Sequence, residues 1–583
     1  MFAGFVILIS GLGSSEGAIY GGAATPSPSN PQPGSAPIGG ATPTTTDAAR
    51  ANALEALART NQAVGAARAL QDSARAAAAA NNLGQNPNNP SQTLPNVPDG
   101  LAPGGLQIAP GVSTNPSLWQ GAELPTEAIN NGLTNVTVRQ TAQQALLEWQ
   151  TFNVGKNTTL NFDQSAGGTA AAQWIAFNKV SDPTANPTQI LGQIKAQGQV
   201  YIINPNGIIF GGSSQVNVNT LTASALPINT NLISRGLLNN PDQQFLFSAL
   251  AIPAGTDGTP AFNPNLPANT KLGDVTVQAG AKISTPVSAD GNGGRILLVG
   301  ANVTNSGTLS TPSGQTILAA GLQVGVNAHN SADPSLRGLD VYVGAVTDPA
   351  SALTPYAGTA TNNGIIEIAR ASAIITGKSV NQNGIIDSST SVALNGRVDL
   401  LANYDAISNP SYNPAQSSTG NPFLFRSTGT VTLGENSVTR ILPEINSTAT
   451  TTGTELALRS QINLQGRNIH FAPGSILLAP NAIANVKAGT WNFVADNANP
   501  SSTFITSTGQ VYLAENSLIN LAGTTDAVAS VSQNLLTLEL RGSELAVAPV
   551  QREGELRGDT ITVDMSRTGT YEGPFWVGTP LAD

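Results

Sequence analysis

The segment "QVYIINPNGIIF", residues 199–210, holds four turn-forming residues between two apolar runs. The amides of Asn204 and Asn206 can hydrogen-bond to the backbone of their own turn or to another molecule. Pro205 fixes one backbone angle of such a turn, and Gly207 tolerates a positive φ that other residues avoid. The chemistry of this motif is therefore hydrogen bonding, with turn formation as its first role.

The apolar runs on either side of the motif predict two strands, Gln199–Ile203 and Ile208–Phe210. Asn178, in "FNKV", is expected to hold a neighbouring turn in the same manner. The candidate site comprises Asn178, Asn204, Pro205, Asn206, Gly207 and Ile208.

Other residue types that carry chemistry are sparse. The chain has no cysteine, which excludes a thiolate zinc site, a catalytic thiol and a disulfide. His329 and His470 have no second histidine at metal-ligand spacing, and the aspartates are scattered rather than arranged as a Ca²⁺-binding loop. We therefore expect no metal, no cofactor and no enzymatic activity.

Composition points to extended β-structure with many tight turns. Only 10% of the 583 residues are charged, while there are 60 glycines and 38 prolines, and valine, isoleucine and leucine recur throughout. The formal net charge of −10 argues against nucleic acid as a partner, because nucleic-acid binding requires basic patches.

Internal repeats identify the kind of β-structure. "STGTVTLGENS" from Ser427 and "STGQVYLAENS" from Ser507 share most of their residues, and "GRNIHFAPGSILLAP" from Gly466 lies halfway between them. Repeated short strands separated by turns indicate a solenoid. We predict an all-β, right-handed parallel β-helix with coils of roughly 20 residues, stabilised by ladders of Asn and Thr at its corners.

The N-terminal part differs from the repeats. It has a short apolar run, then Pro/Gly/Ser-rich linkers on both sides of an alanine-rich helix that we expect to be a solvated spacer. The predicted segments are a possible signal-peptide remnant at 1–21, a linker at 22–46, the helix at 47–80, a linker at 81–105, a secretion domain at 106–233 and β-helical repeats at 234–583.

The secretion domain is predicted from a resemblance that four ordered segments carry. They are "WQTFNVGKNTTLNFDQ" from Trp149, "FNKV" from Phe177, "QILGQIKAQGQVYIINPNGIIFG" from Gln189 and "VNVNTLTASAL" from Val216. Together they resemble the secretion domain of two-partner-secreted exoproteins, the filamentous-haemagglutinin family. The second family tetrapeptide, N-P-N-L, has only the poor substitute "NTTL" at 157–160, and its expected absence favours the branch similar to high-molecular-weight adhesins.

This resemblance implies export through the periplasm and recognition by an outer-membrane transporter of the Omp85 type with POTRA domains. The six candidate residues would then take part in recognition as well as in the turn. The implied product is a secreted or surface-bound adhesin or haemagglutinin that binds a host-cell or bacterial receptor or glycan. Two alternatives remain open: the stem of a contact-dependent growth-inhibition toxin, and a β-helical polysaccharide-active enzyme.

Overall fold

Most coils of the chain contribute one strand to each of three long sheets. The computed structural model describes residues 7–8, 43–80, 95–249, 272–288, 291–329, 335–344, 358–409, 412–413, 422–444, 458–496, 499–506, 508–523, 535–540, 554, 557–564, 570–571 and 579–580. The chain divides into two units, of which the larger comprises 1–390, 394–443 and 459–523. The three sheets belong to this larger unit.

Sheets 1, 2 and 3 are named here by the order in which the chain first enters them. Sheet 1 contains Ile7–Leu8, Leu106–Ile108, Trp119–Gln120, Gln144–Phe152, Ile175–Val180, Gln199–Ile203, Thr220–Ser224, Arg295–Gly300, Gln315–Ala320, Ser372–Thr376, Arg397–Leu401, Gln461–Gly466 and Ile483–Ala488. Sheet 2 contains Thr126–Asn130, Leu133–Arg139, Thr158–Asp163, Gln193–Ala196, Gln215–Asn217, Lys282–Ser284, Thr308–Ser310, Ile365–Ala369, Ile385–Thr390, Val438–Pro443, Ile476–Leu478 and Leu518–Asn520. Sheet 3 contains Thr188–Ile190, Ile208–Phe210, Val275–Val277, Asn302–Asn305, Thr359–Asn362, Ser379–Gln382, Thr430–Leu433, Asn468–Phe471 and Gln510–Leu513.

Strands of successive coils pair in parallel, so the predicted parallel β-helix is confirmed. Gln199 pairs with Thr220, and Arg295 pairs with Gln315, which gives coils of about 20 residues where nothing is inserted. The repeated phrases also stack, since Thr430 pairs with Asn468 and Asn468 with Gln510. Alternate side chains point inward and form one continuous apolar core.

A ladder of amides runs through the interior of the coils. Asn305 Nδ2 donates to Asn362 Oδ1 at 2.8 Å, and Asn362 Nδ2 donates to Gln382 Oε1 at 2.7 Å. All three side chains are fully buried. The Asn part of the predicted ladders is confirmed, with Gln382 as the third member, and the ladder satisfies polar groups that would otherwise be costly to bury.

The first coils close one end of the β-helix with antiparallel strands. Leu106–Ile108 and Trp119–Gln120 pair antiparallel with Gln144–Phe152, and Thr126–Asn130 pairs antiparallel with Leu133–Arg139. Capping of this kind protects a sheet end from pairing with another chain.

An additional antiparallel sheet, here called the covering sheet, consists of Phe247–Ser248, Gln323–Ala328 and Leu339–Gly344. It packs on the outer face of sheet 1 and encloses a second apolar cluster with the short helix α2, Thr230–Arg235. The 3₁₀ helices are Pro116–Leu118 and Ser165–Gln173. Two further strand pairs of the larger unit are Ile407–Ser408 with Phe423–Leu424 and Thr490–Asp496 with Asn499–Thr506.

The N-terminal helix α1 spans Pro43–Ala80, so the predicted helix is present and begins before Asp47. The expectation of a solvated spacer is wrong, because the helix packs on the outer face of sheet 2. Val64 is buried against Ile365, Ile385 and Val438. Ile7–Leu8, from the segment expected to be a signal remnant, pairs antiparallel with Ile483–Ala488.

The smaller unit comprises 391–393, 444–458 and 524–583. Its described strands form two antiparallel pairs, Leu535–Glu539 with Thr560–Asp564 and Thr570–Tyr571 with Thr579–Pro580.

Candidate functional site

The predicted turn joins a sheet 1 strand to a sheet 3 strand, with the strand bounds expected from the sequence. The backbone carbonyl of Asn204 accepts a hydrogen bond from the Gly207 amide at 2.9 Å, which closes the turn. The side-chain Oδ1 of Asn204 accepts from the Asn206 amide at 3.0 Å. Gly207 has φ 113°, so a residue with a Cβ would be strained there.

Neighbouring coils hold the turn from both sides. On one side, Asn204 Nδ2 donates to Thr188 Oγ1 at 3.0 Å, and the Thr188 amide donates to the Gly207 carbonyl at 2.9 Å. On the other side, the Ile208 amide donates to the Asp274 carbonyl at 2.9 Å. A Cβ at Gly207 would lie 3.1 Å from that same carbonyl oxygen, so the next coil fits closely against the glycine.

Asn178 is buried in the coil that precedes the turn. Its Oδ1 accepts from Trp149 Nε1 at 3.0 Å, and its Nδ2 donates to the carbonyls of Tyr201 at 3.0 Å and Ala176 at 3.2 Å. The side chain is 0% exposed. Asn178 therefore links three coils through hydrogen bonds, rather than holding a turn as the sequence had suggested.

The six predicted residues differ in how far solvent reaches them. Asn178, Asn204, Gly207 and Ile208 are buried, whereas Pro205 and Asn206 are half-buried. Asn206 Nδ2 makes a long contact of 3.4 Å to the Asp182 carbonyl. In the folded chain a partner could reach the motif only at Pro205 and Asn206, and a recognition role for the six residues remains a prediction.

The residues that support the turn were not predicted. Thr188, Asp182 and Asp274 lie in other coils, and only the spacing of the coils could have indicated Thr188. Burial raises the pKa of the Asp274 carboxyl, although hydrogen bonds from the Asn302 side chain and backbone act in the opposite direction.

Neither histidine forms a metal site with the groups around it. His329 Nδ1 lies 2.8 Å from Asp340 Oδ2, and no group of three His, Asp or Glu within the described segments is arranged to hold a metal ion. In the same described segments, no helix has the length and apolar character needed to cross a membrane.

The comparisons with known proteins agree with the resemblance seen in the sequence. The family model of the TPS secretion domain matches residues 117–399, and this match continues past residue 233, where the clear motif resemblance ends. A heme/hemopexin-binding protein from Haemophilus influenzae is 32% identical over 89 residues, which are 15% of this chain and 9% of that protein. A second heme/hemopexin-binding protein from the same species is 33% identical over a stretch of the same length. This chain thus spans only about a tenth of these relatives.

A solved structure, the HMW1 secretion domain from Haemophilus influenzae, is 18% identical, with a TM-score of 0.43, and covers 70% of this chain and 84% of that one. At that TM-score the likeness adds nothing to the fold, which the strand register establishes by itself.

One reason given for the branch of the family fails. The sequence does contain N-P-N-L, at Asn263–Leu266, a segment outside the described residues. Assignment to the branch similar to high-molecular-weight adhesins therefore cannot rest on the absence of N-P-N-L. The family-model match and the ordered motifs do not depend on it: residues 117–399 match the TPS secretion domain, which supports the filamentous-haemagglutinin-like, two-partner-secreted family.

Proposed function

We propose that this chain is a secreted exoprotein that crosses the outer membrane through a cognate transporter of the Omp85 type and acts at the surface as an adhesin or haemagglutinin. The observation that carries the proposal is the TPS secretion domain match over residues 117–399. A TPS domain implies a cognate outer-membrane transporter as partner.

The architecture of the coils suits vectorial export. The first coils carry their own antiparallel cap, and each later strand pairs in parallel with a strand already formed. A coil that emerges can therefore bury its apolar residues on the previous coil, at about 1.5–3 kcal/mol for each large side chain. This stepwise gain favours outward movement of the chain and opposes its return.

The proposed role is binding rather than catalysis. Charged side chains lie in pairs here, with Arg397 Nε 2.7 Å from Asp399 Oδ2 in sheet 1 and His329 beside Asp340 at the covering sheet. Polar groups held in fixed pairs can hydrogen-bond to a ligand, which supports a binding role.

Secretion and adherence assays test the proposal. The full chain is expressed in a Gram-negative host with and without the cognate transporter, and its surface and medium fractions are measured together with adherence of the cells. We expect both export and adherence to require the transporter. Equal export without the transporter would overturn the two-partner route, and transporter-dependent export without adherence would overturn the adhesive role.

A matched pair of variants tests the motif. Asn206→Ala removes a half-buried amide with one long contact of 3.4 Å, and Asn468→Ala removes a similar amide, which accepts from the Gln510 amide at 3.3 Å beyond the TPS match. If the motif is recognised, export falls for Asn206→Ala and is unchanged for Asn468→Ala. Equal export of both variants would reduce Asn206 to a turn residue.

A further inference from the structure

A groove opens on the outer face of sheet 1 at the edge of the covering sheet. One row of outward-facing positions runs across the strands, and its character changes along the row. Its successive members are Leu297, Ile317, Ile374, Asp399, Asn463 and Asn485. The first three are covered and apolar, and the last three form a polar floor.

The floor is a ladder of planar polar groups. Asn485 Nδ2 donates to Asn463 Oδ1 at 2.9 Å, and Asn463 Nδ2 donates to Asp399 Oδ1 at 2.6 Å. Arg397 Nε lies 2.7 Å from Asp399 Oδ2 but off the N–H direction, so this contact is electrostatic. The ladder uses one donor of each amide, and each amide has two donors and two acceptor positions. Such groups recur at about the 4.8 Å strand spacing.

The walls of the groove are apolar and aromatic. Two adjoining cavities, of about 190 and 290 Å³, share Arg397, Asp399, Leu401, Asn403 and Phe425 in their linings. Val341 and Tyr342, from the last strand of the covering sheet, line the smaller cavity. Phe425 is half-buried, and its ring centroid lies 6.0 Å from that of Tyr342. Aromatic surface beside a few ordered polar groups is typical of ligand sites.

A polar atom at one end of the groove lacks a hydrogen bond. His329 lines the smaller cavity, and its Nδ1 contacts Asp340, which fixes the ring. Its Nε2 is buried and has no hydrogen-bond partner among the described residues. A buried polar atom without a partner is costly, so a ligand hydroxyl bound at this end would satisfy it.

The charges of the groove balance. Asp340 and Asp399 face Arg397 and Lys487, which leaves no excess of either sign when His329 is neutral. A polyanion such as a sulfated glycan would gain little here, because its attraction to the two cations is offset by the two carboxylates.

From these observations we propose that the groove binds a linear, uncharged oligosaccharide. Sugar rings present C–H faces that can pack on the half-buried Phe425 ring, and hydroxyls that can bond to the half-buried Asn463 and Asn485 of the ladder. The repeat of the ladder along the β-helix suits a chain of sugars rather than one sugar. This inference rests on the proposed adhesive function, since it names the chemical class of the receptor.

A peptide is the rival occupant, because Leu339–Gly344 is an edge strand of the covering sheet and could add another strand. Part of that edge is already used, as the Val343 carbonyl accepts from the Ala406 amide at 3.0 Å. The saccharide is therefore favoured, and the peptide becomes an outcome of the test.

The test uses the purified full chain. Probes are neutral tri- to hexasaccharides in two arms, one of mammalian glycans and one of bacterial capsular fragments, with sulfated and sialylated oligosaccharides and an extended peptide library beside them. The strongest neutral ligand is then titrated by calorimetry against the wild type and three variants.

Two variants alter the groove, and one is a matched control. Asn485→Ala removes the last amide of the ladder, and Phe425→Ala removes the aromatic wall. Asn383→Ala also removes one Asn–Asn ladder bond, from its Nδ2 to Asn363 Oδ1 at 2.9 Å, but lies outside the groove. We expect Kd to rise at least tenfold for Asn485→Ala and Phe425→Ala and to stay unchanged for Asn383→Ala, with all three variants folded by circular dichroism.

Other outcomes overturn the proposal. They are the absence of neutral-saccharide binding, binding only to charged glycans or peptides, and a Kd unchanged in Asn485→Ala. The assay does not require export, so its result is separable from the proposed function. Saccharide binding without cell adherence would overturn the adhesive role alone, and adherence without saccharide binding would overturn the groove alone.

Discussion

Asn178 and Asn206 belong to the same predicted motif set but have opposite environments. Asn178 has no exposed surface and makes three hydrogen bonds, one of them from Trp149. Asn206 is half-buried and makes one long contact through its side chain. Loss of the Asn178 amide therefore acts on the fold, whereas loss of the Asn206 amide leaves the fold largely intact.

We predict that Asn178→Ala lowers the free energy of unfolding by about 2–4 kcal/mol, because it leaves Trp149 Nε1 without its acceptor, removes the side-chain hydrogen bonds to two carbonyls and opens a small cavity. Asn206→Ala should change it by about 0.5 kcal/mol or less. Urea denaturation of both variants measures the difference. Equal effects of the two substitutions would contradict these assignments.

Asp274 gives a prediction for pH. Burial raises the pKa of its carboxyl above the usual 3.8, so the folded chain holds this proton more tightly than the unfolded chain does. For such a group the free energy of unfolding falls as pH rises from 3.8 through the raised value. We expect Asp274→Asn to remove this slope and to be at least as stable as the wild type at neutral pH.

Denaturation midpoints of the wild type and Asp274→Asn, measured from about pH 3.5 to pH 7, test this sign. A wild type that loses stability relative to Asp274→Asn as pH falls would show that the Asn302 hydrogen bonds outweigh burial, and parallel curves for the two proteins would show that Asp274 contributes no slope.

Turn type was predictable from single residues, but burial was not. Asn-Pro-Asn-Gly specifies a turn through local backbone preferences. Which asparagine lies inside depends on Thr188 and Asp274, whose carbonyl, amide and hydroxyl groups come from other coils. No local pattern contains that information.

At the scale of elements, helix α1 shows how a polar helix can pack. Along the helix, its contacts pass from late coils to early ones. Ala56 packs near Ile476, and Val64 packs near Ile365. Further on, Gln71 Oε1 accepts from the Gly280 amide at 2.7 Å, and Gln71 Nε2 donates to the Ser306 carbonyl at 2.8 Å.

A charged network adds to this packing. Arg440 is 8% exposed and bonds to Asp387 at 2.8 Å and to Asn61 in the helix at 2.7 Å. Much of the contact face consists of small and polar residues, so the sequence of the helix shows no wide apolar stripe.

We predict that Val64→Asp releases the helix from sheet 2, because the substitution buries a charge among Ile365, Ile385 and Val438. Leu70→Asp is the matched control in the same helix, since Leu70 is 71% exposed. Limited proteolysis of the folded chain should cleave within residues 51–79 at least about tenfold faster in Val64→Asp than in Leu70→Asp. Similar cleavage of both variants would mean that the helix contacts contribute little.

At the scale of the whole larger unit, repetition made the β-helix predictable. The repeated phrases fall on successive strands of sheet 3, as Thr430, Asn468 and Gln510 show. The covering sheet was not predictable, because it comes from insertions between Thr220 and Arg295 and between Gln315 and Ser372 that share no repeat. The groove at the edge of the covering sheet was not predictable either, because its lining combines residues of that sheet with residues from several coils.

Contact between the turn and the transporter during export is the most direct test of the account. A photo-crosslinking amino acid is placed at Asn206 or, as the control, at Asn468, and cells that export the full chain through the cognate transporter are irradiated. We predict a crosslink to the transporter from position 206 and little or none from position 468. Equal crosslinking from both positions, or none from position 206 while export proceeds, would contradict it.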